Sequence, residues 1–221
     1  MPYSNTEENY LKALYHLSGE SGEVSVKELS EKLLIKMPTV NSMMKKLSEK
    51  KLVHYESYKP LRLTEIGQQA AMQIIRKHRL TEIFLVEKMG FGCEEVHEIA
   101  EQIEHLKAPH FFEKIDEILG YPKIDPHGSP IPDKSGKIDI VAYEKLSDCK
   151  VGDRLKLVAV IHTEKEFLAF LNTRKLVLGT IITVLAIEKF DGSMTVSYNE
   201  SKSETFSLTV NERLLVERCE R

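Results

Sequence analysis

The fold is decided by residues 38–63, PTVNSMMKKLSEKKL followed by VHYESYKPLRL. Pro38 lacks the amide hydrogen that the first turn of a helix leaves unbonded, so the spacing predicts a helix beginning there and running to Leu52. That helix would expose Thr39, Asn41, Ser42, Lys45 and Lys46. After it, Leu52–Glu56 and Leu61–Leu63 flank a polar tip, Ser57-Tyr58-Lys59-Pro60, which reads as a two-stranded wing.

Upstream, Val26–Leu34 fits a second helix, with Ser25 as its N-cap and Glu28 three residues on as the capping-box partner. The short turn LIKM (34–37) joins it to the helix at Pro38. Two helices on a tight turn form a helix-turn-helix pattern. Tyr10, Leu11, Leu14, Tyr15 and Leu17 recur at helical spacing, so a first helix should end between Ser18 and Gly22. Hydroxyl and amide side chains early on a recognition helix reach base edges, while lysines neutralise phosphates. The candidate DNA contacts are therefore Lys36, Pro38, Thr39, Asn41, Ser42, Lys45 and Lys46, with Lys59 and Arg62 on the wing. A lysine-rich helix alone would equally suit a solvated face of a small packing unit. The order helix, turn, helix, wing favours the DNA reading.

Downstream, Thr64 is placed to cap a long helix, TEIGQQAAMQIIRKHRLTEIFLVEKM, that stops at Gly90-Phe91-Gly92. On it His78 and Glu82 are four apart and share a face. Residues 93–112, CEEVHEIAEQIEHLKAPHFF, are read as one continuous helix. At about 100° per residue, His97, Glu101, Glu104 and His105 then fall within an arc of roughly 100°. Val96, Ile99, Ala100, Ile103 and Leu106 would face a core on the other side. Imidazole with carboxylate is a borderline-to-hard donor set suited to Mn, Fe(II), Co, Ni or Zn. His16, His54, His110, His127 and His162 have no such company and are expected to be ordinary residues.

At 221 residues, with 42% hydrophobic and 29% charged residues, the chain has the composition of a folded globular protein of one or two domains. Its start lacks the charged end and apolar run of a signal peptide, and no stretch approaches the ~20 apolar residues of a membrane span. A cytoplasmic location is expected. Cys93, Cys149 and Cys219 are scattered and odd in number, which excludes a disulfide framework or a CxxC metal motif. The net charge of −3 hides a segregation: Lys32 to Arg62 carries eight basic residues against Glu49 and Glu56, and Glu94 to Glu117 carries eight acidic residues against Lys107 and Lys114. A basic front and an acidic middle suggest two different partners.

From Pro122 to Gly136, prolines and glycines crowd a stretch that reads as a linker. Beyond Ser147 the pattern turns to strands, VGDRLKLVAVIH, TIITVLAIEKF, MTVSYN and ETFSLTV, with an Asp191-Gly192 turn and a short helix EKEFLAFLNTRKL. A small β-barrel is expected there.

The segments RKHRLTE (76–82), VHEIAEQIEH (96–105) and HGSPIP (127–132) resemble the diphtheria toxin repressor family of metal-dependent transcriptional repressors, and the likeness covers nearly all of the chain. The resemblance implies a mainly α protein with a small β domain. A winged helix-turn-helix (1–72) would precede a helical dimerisation and metal-binding domain (73–121), a linker (122–146) and an SH3-like barrel (147–221). By position it implies His78, Glu82 and His97 as one metal site, and Glu101, Glu104 and His105 as a second, helped by Asn9 of the first helix. Glu101 stands where iron-responsive members place a Cys, which hardens the site and resembles the manganese-responsive branch. Asn9 is a neutral donor where members supply Met or Asp. In the barrel helix Glu166 aligns best with groups that reach the first site, and Glu164 is beside it; both equally suit acids favoured by a helix N-terminus.

The function so implied is a homodimeric, metal-activated repressor controlling metal-ion homeostasis. It would bind a double-stranded operator, take two ions per subunit with Mn(II) favoured over Fe(II), and carry no catalytic residues. Two other classes compete. Glu94-x-x-His97 has the spacing of di-iron carboxylate oxidases and ferritin-like proteins, although no second Glu-x-x-His follows. A winged-helix regulator with an organic effector would make the acidic cluster purely structural.

Overall fold

The computed structural model describes residues 3–19, 21–138, 142–161, 164–199 and 202–219. His162 lies outside them. The chain divides into two compact units: one of Met1–Thr81, Ile99–Tyr121 and Ile131–Ile138, the other of Glu82–Glu98, Pro122–Pro130 and Asp139–Arg221.

In the first unit α1 (Asn5–Ser18) opens with a capping box in which the Ser4 hydroxyl accepts from the Glu7 amide and the Glu7 carboxylate accepts from the Ser4 amide. The expected box at Ser25 and Glu28 starts α2 (Val26–Leu33). Leu34 ends α2 in the left-handed conformation, at φ 55°. The next helix, α3 (Met37–Glu49), starts one residue before Pro38, with Lys36 as N-cap, and stops three residues short of Leu52. Tyr10, Leu11 and Leu14 of α1, Leu29 of α2, and Val40, Met44 and Leu47 of α3 are buried together, so each helix contributes one apolar face to one core.

The wing is a short antiparallel pair, β1 (Val53–His54) with β2 (Arg62–Leu63). Val24 and Leu61 exchange amide hydrogen bonds of 3.0 and 2.7 Å, which ties the wing to the start of α2. Thr64 then accepts from the Gly67 amide and donates to the Lys51 carbonyl, joining the wing to the long helix α4 (Glu65–Met89). A Cβ on Gly67 would stand 1.9 Å from the Leu52 carbonyl oxygen, so only glycine lets α4 approach the wing this closely.

The expected single helix over 93–112 is two helices, α5 (Val96–Ile103) and α6 (Pro109–Ile118). The cause is Pro109: it bars the α conformation at Ala108, which adopts φ −125° and ψ 79°, and it starts the following helix at its first turn. Val96 and Ala100 are buried as expected, whereas Leu106, now in the connection, is exposed and Glu104 is buried. The stretch expected as a linker is hydrogen-bonded: Gln73 and Arg76 donate to the carbonyls of Lys134 and Pro132.

In the second unit six strands form one antiparallel sheet, ordered β3-β8-β4-β5-β6-β7. They are β3 (Glu144–Lys145), β4 (Arg154–Val160), β5 (Ile181–Ile187), β6 (Met194–Tyr198), β7 (Lys202–Phe206) and β8 (Leu214–Arg218). Alternate residues Leu155, Leu157, Ile182, Val184, Met194, Val196, Leu214 and Val216 are buried with Phe167, Leu168 and Leu171 of α7 (Lys165–Arg174). This is the small β domain the strand pattern predicts, SH3-like as the resemblance implies, with three differences. The strand expected over ETFSLTV stops at Phe206, because Ser207 turns the chain into a short helix, α8 (Leu208–Asn211). Strands β3 and β8 were not expected; each is exposed on one side or very short and lacks flanking turn residues. The HGSPIP segment packs on β4: the Val160 amide donates to the His127 carbonyl, and a Cβ on Gly128 would meet the Val158 carbonyl oxygen at 2.2 Å.

Candidate metal centre and nucleic-acid interface

Helix α4 holds His78 and Glu82 on successive turns of one face, and both are buried. His97, in the first turn of α5, brings Nδ1 to 3.1 Å from Glu82 Oε1. Each of the three residues offers one ligand atom, and these atoms lie within 4.8 Å of one another. Two donors bound at ~2.0–2.2 Å to one ion are at most ~4.4 Å apart, so the cluster fits a divalent cation with shifts of about half an ångström. Two imidazoles and a carboxylate supply a borderline-to-hard set with one negative charge. His78 Nδ1 is 2.6 Å from Glu104 Oε2, and with Nδ1 engaged there an ion would be taken by Nε2, the ring being oriented by a carboxylate as in many metal sites.

In the second expected set His105 Nε2 lies 3.7 Å from Glu104 Oε1, but a lysine lies against Glu104. Glu104 is 1% exposed, and both of its oxygens accept from Lys12 Nζ, at 2.7 and 3.0 Å. Burial alone would raise its pKa; the His78 hydrogen bond and the Lys12 charge outweigh this and hold the carboxyl below its ordinary value. His105 Nδ1 lies 2.7 Å from Glu8 Oε2, and Glu8 also accepts from Lys107. Glu101 is 56% exposed, with Oε1 3.8 Å from Lys12 Nζ. Asn9 is exposed on α1. Among the described residues only His78, Glu82 and His97 bring three such ligand atoms within 4.8 Å of one another.

Sequence reasoning missed Lys12 and offered Glu8 only as a substitute for Asn9 on a rotated first helix. Their four-residue spacing on α1 signals a shared face, but their partners lie 92 to 99 residues away, beyond any local pattern. In the barrel, Glu164 is the N-cap of α7 and accepts from Arg213 at 3.0 Å, while Glu166 is exposed in its first turn. Glu94, the carboxylate of the Glu-x-x-His spacing, accepts from Asn172 at 2.6 Å.

The DNA candidates lie on one surface element and its neighbours. Lys36, Pro38, Thr39, Ser42, Lys45 and Lys46 are exposed at or on α3. Ser42 donates to the Pro38 carbonyl at 3.0 Å, and half-buried Asn41 accepts from Tyr55 at 3.4 Å. Lys46 is 3.2 Å from Glu7, Lys59 is 2.8 Å from Glu56 at the wing tip, and Arg62 donates to Glu23. Tyr58, at φ 67° and fully exposed beside Lys59, adds an aromatic to the tip that the sequence reading did not single out.

A three-helix head with a wing, a long helix leading from it to a His/Glu/His cluster, and a separate SH3-like domain define a winged-helix protein with a metal-binding helical segment. Three family descriptions match in that order: "Iron dependent repressor, N-terminal DNA binding domain" over 3–61, "Iron dependent repressor, metal binding and dimerisation domain" over 64–133, and "FeoA domain" over 144–218. A solved manganese-dependent transcriptional repressor in complex with manganese is 28% identical, covering 96% of this chain and 100% of that one, with a TM-score of 0.86. The structure of ScaR with bound Zn2+ is 31% identical over 96% of this chain and 99% of that one, with a TM-score of 0.79. The iron-dependent repressor IdeR of Mycobacterium bovis is 33% identical over 58% of this chain, and the match spans 56% of the length of IdeR. The chain belongs to the diphtheria toxin repressor family. No helix among the described residues is long and apolar enough to cross a membrane.

Proposed function

We propose that the protein is a homodimeric, metal-activated transcriptional repressor that binds a double-stranded DNA operator and controls metal-ion homeostasis from the cytoplasm. The observation that carries this reading is the His78–Glu82–His97 cluster, two of whose members sit on the helix that begins at the wing. Manganese is favoured over iron: the donor set has no thiolate, Glu101 stands where a softer ligand would select iron, and a solved relative of 28% identity is in complex with manganese. His78, Glu82 and His97 hold the first ion, with Glu164 or Glu166 of the barrel as added donors. Glu101, Glu104 and His105 with Asn9 are the second set, giving two ions per subunit.

An ion at the first set neutralises Glu82 and links α4 to α5. Because Gly67 and Thr64 seat α4 directly on the wing, fixing the helix limits the positions open to the head. Two heads of a dimer bind well only when spaced to reach half-sites about 34–36 Å apart, and the ion acts by favouring that state over the others. In the head, Thr39, Asn41 and Ser42 read bases, while Lys36, Lys45, Lys46, Lys59 and Arg62 meet phosphates and Pro38 fixes the helix start.

Selection of duplexes from a random pool by the full chain in Mn(II) tests this reading. The expected result is an enriched inverted repeat with half-sites about one helical turn apart. Enrichment equal in Mn(II) and in chelator, or none in either, would overturn it.

A further inference from the structure

We infer that Lys12 is a tethered cation occupying the second donor set, so that a second metal ion binds only by displacing its ammonium group. This rests on the metal-dependent reading above.

The Lys12 ammonium is where a cation of that set would have to be. Its Nζ lies 2.7 and 3.0 Å from the two oxygens of Glu104, 3.3 Å from His78 Nδ1 and 3.8 Å from Glu101 Oε1. Its side chain is 14% exposed, against 1% for the carboxylate it meets. A carboxylate this deeply buried needs a countercharge, because removing either partner of such a pair leaves an uncompensated charge. Of the remaining donors, His105 brings Nε2 to 3.7 Å from Glu104 Oε1. His105 is engaged with Glu8, which is itself held by Lys107. Lys12 therefore already supplies the countercharge at Glu104, the buried carboxylate of the second set.

Binding to the two sets follows in order. The first ion meets a preformed cluster. A second ion must exchange with Lys12, returning the ammonium to water and separating Glu104 from His78, so it also perturbs the ring that holds the first ion. Lys12 thereby sets the ion concentration at which the second site fills.

The test is Mn(II) binding to the full chain, followed by the electron paramagnetic resonance signal of the free ion. The wild type is expected to take one ion per chain first and a second only at higher concentration. Lys12→Met should tighten the second step by at least ~10-fold, because the competing cation is gone. Lys12→Arg, which keeps the charge, should stay close to wild type. An unchanged second step in a folded Lys12→Met protein overturns the inference. Should that variant not fold, acetylation of the wild-type lysines read by mass spectrometry replaces it: Lys12 must gain reactivity as the second ion binds, and constant reactivity overturns the inference. The first-set reading fails separately, by His97→Ala leaving the first ion in place.

Discussion

Glu7 shows how one side chain can serve two elements. It closes the capping box of α1 and accepts from Lys50 at 2.7 Å, with Lys46 at 3.2 Å, while being 1% exposed. Burial pushes its pKa up, but the Lys50 hydrogen bond, the Ser4 amide and Lys46 outweigh it and bring it down to about 2. A carboxyl lowered on folding stabilises fully above its unfolded value near 4.5 and loses that contribution as pH falls to about 2. Urea unfolding of wild type and Glu7→Gln should therefore differ by roughly 1–3 kcal/mol at pH 6, and the gap should close by about pH 2. At the same scale, Lys45→Ala should lower the log–log salt dependence of DNA binding by about two units, one for each subunit of the dimer, without changing which sequence is preferred. A changed preference would mean that Lys45 reads a base. Ser25 and Glu28 were legible because the box precedes a helix of clear period. Ser4 and Glu7 spell the same box, yet the reading of α1 rested on Tyr10, Leu11 and Leu14 and overlooked it.

Among the elements, the helix-turn-helix and wing were legible because each boundary is marked by a residue with a local reason: Ser25, Pro38, the polar tip at 57–60, and Thr64. The 93–112 segment shows the opposite case. Its apolar period continues through Ile103 to Leu106, and the period alone cannot reveal that Pro109 splits it. Pro109 was visible in the sequence and should have outweighed the period. In the barrel, α7 and β4 to β6 carry clean alternation or helical spacing, while β3 has only two residues. Gly67 offers a direct check on how α4 meets the wing. Gly67→Ala should destabilise the protein by at least ~2 kcal/mol, since the obstacle is the Leu52 backbone carbonyl and not a side chain that can turn aside. A thermal midpoint within a degree of wild type would show that the helix can back away.

For the whole molecule, the sequence pointed to two regions of opposite charge more readily than to the wiring inside the fold. Segregated charge separated a basic front from an acidic middle, and His78, Glu82 and His97 were named before their atoms were seen together. What could not be read was the set of pairs that crosses the chain: Lys12 with Glu104, Glu8 with His105, and Arg76 with Asp116. Each depends on tertiary placement that no spacing encodes. A ligand that binds only the folded state stabilises it by mass action, so at concentrations that fill only the first set Mn(II) should raise the thermal midpoint of wild type and not that of His97→Ala. An equal rise in both would place the ion elsewhere.

On the proposed function, an ion at His78, Glu82 and His97 controls DNA binding. An anaerobic mobility-shift titration on the selected duplex tests it most directly, with wild type and a Glu82→Gln/His97→Ala double variant each run in chelator, Mn(II) and Fe(II). The account predicts retardation of the wild type with Mn(II), a weaker or equal effect with Fe(II), none in chelator, and none for the double variant at any ion. Equal retardation of both proteins, or of the wild type with and without chelator, would contradict it.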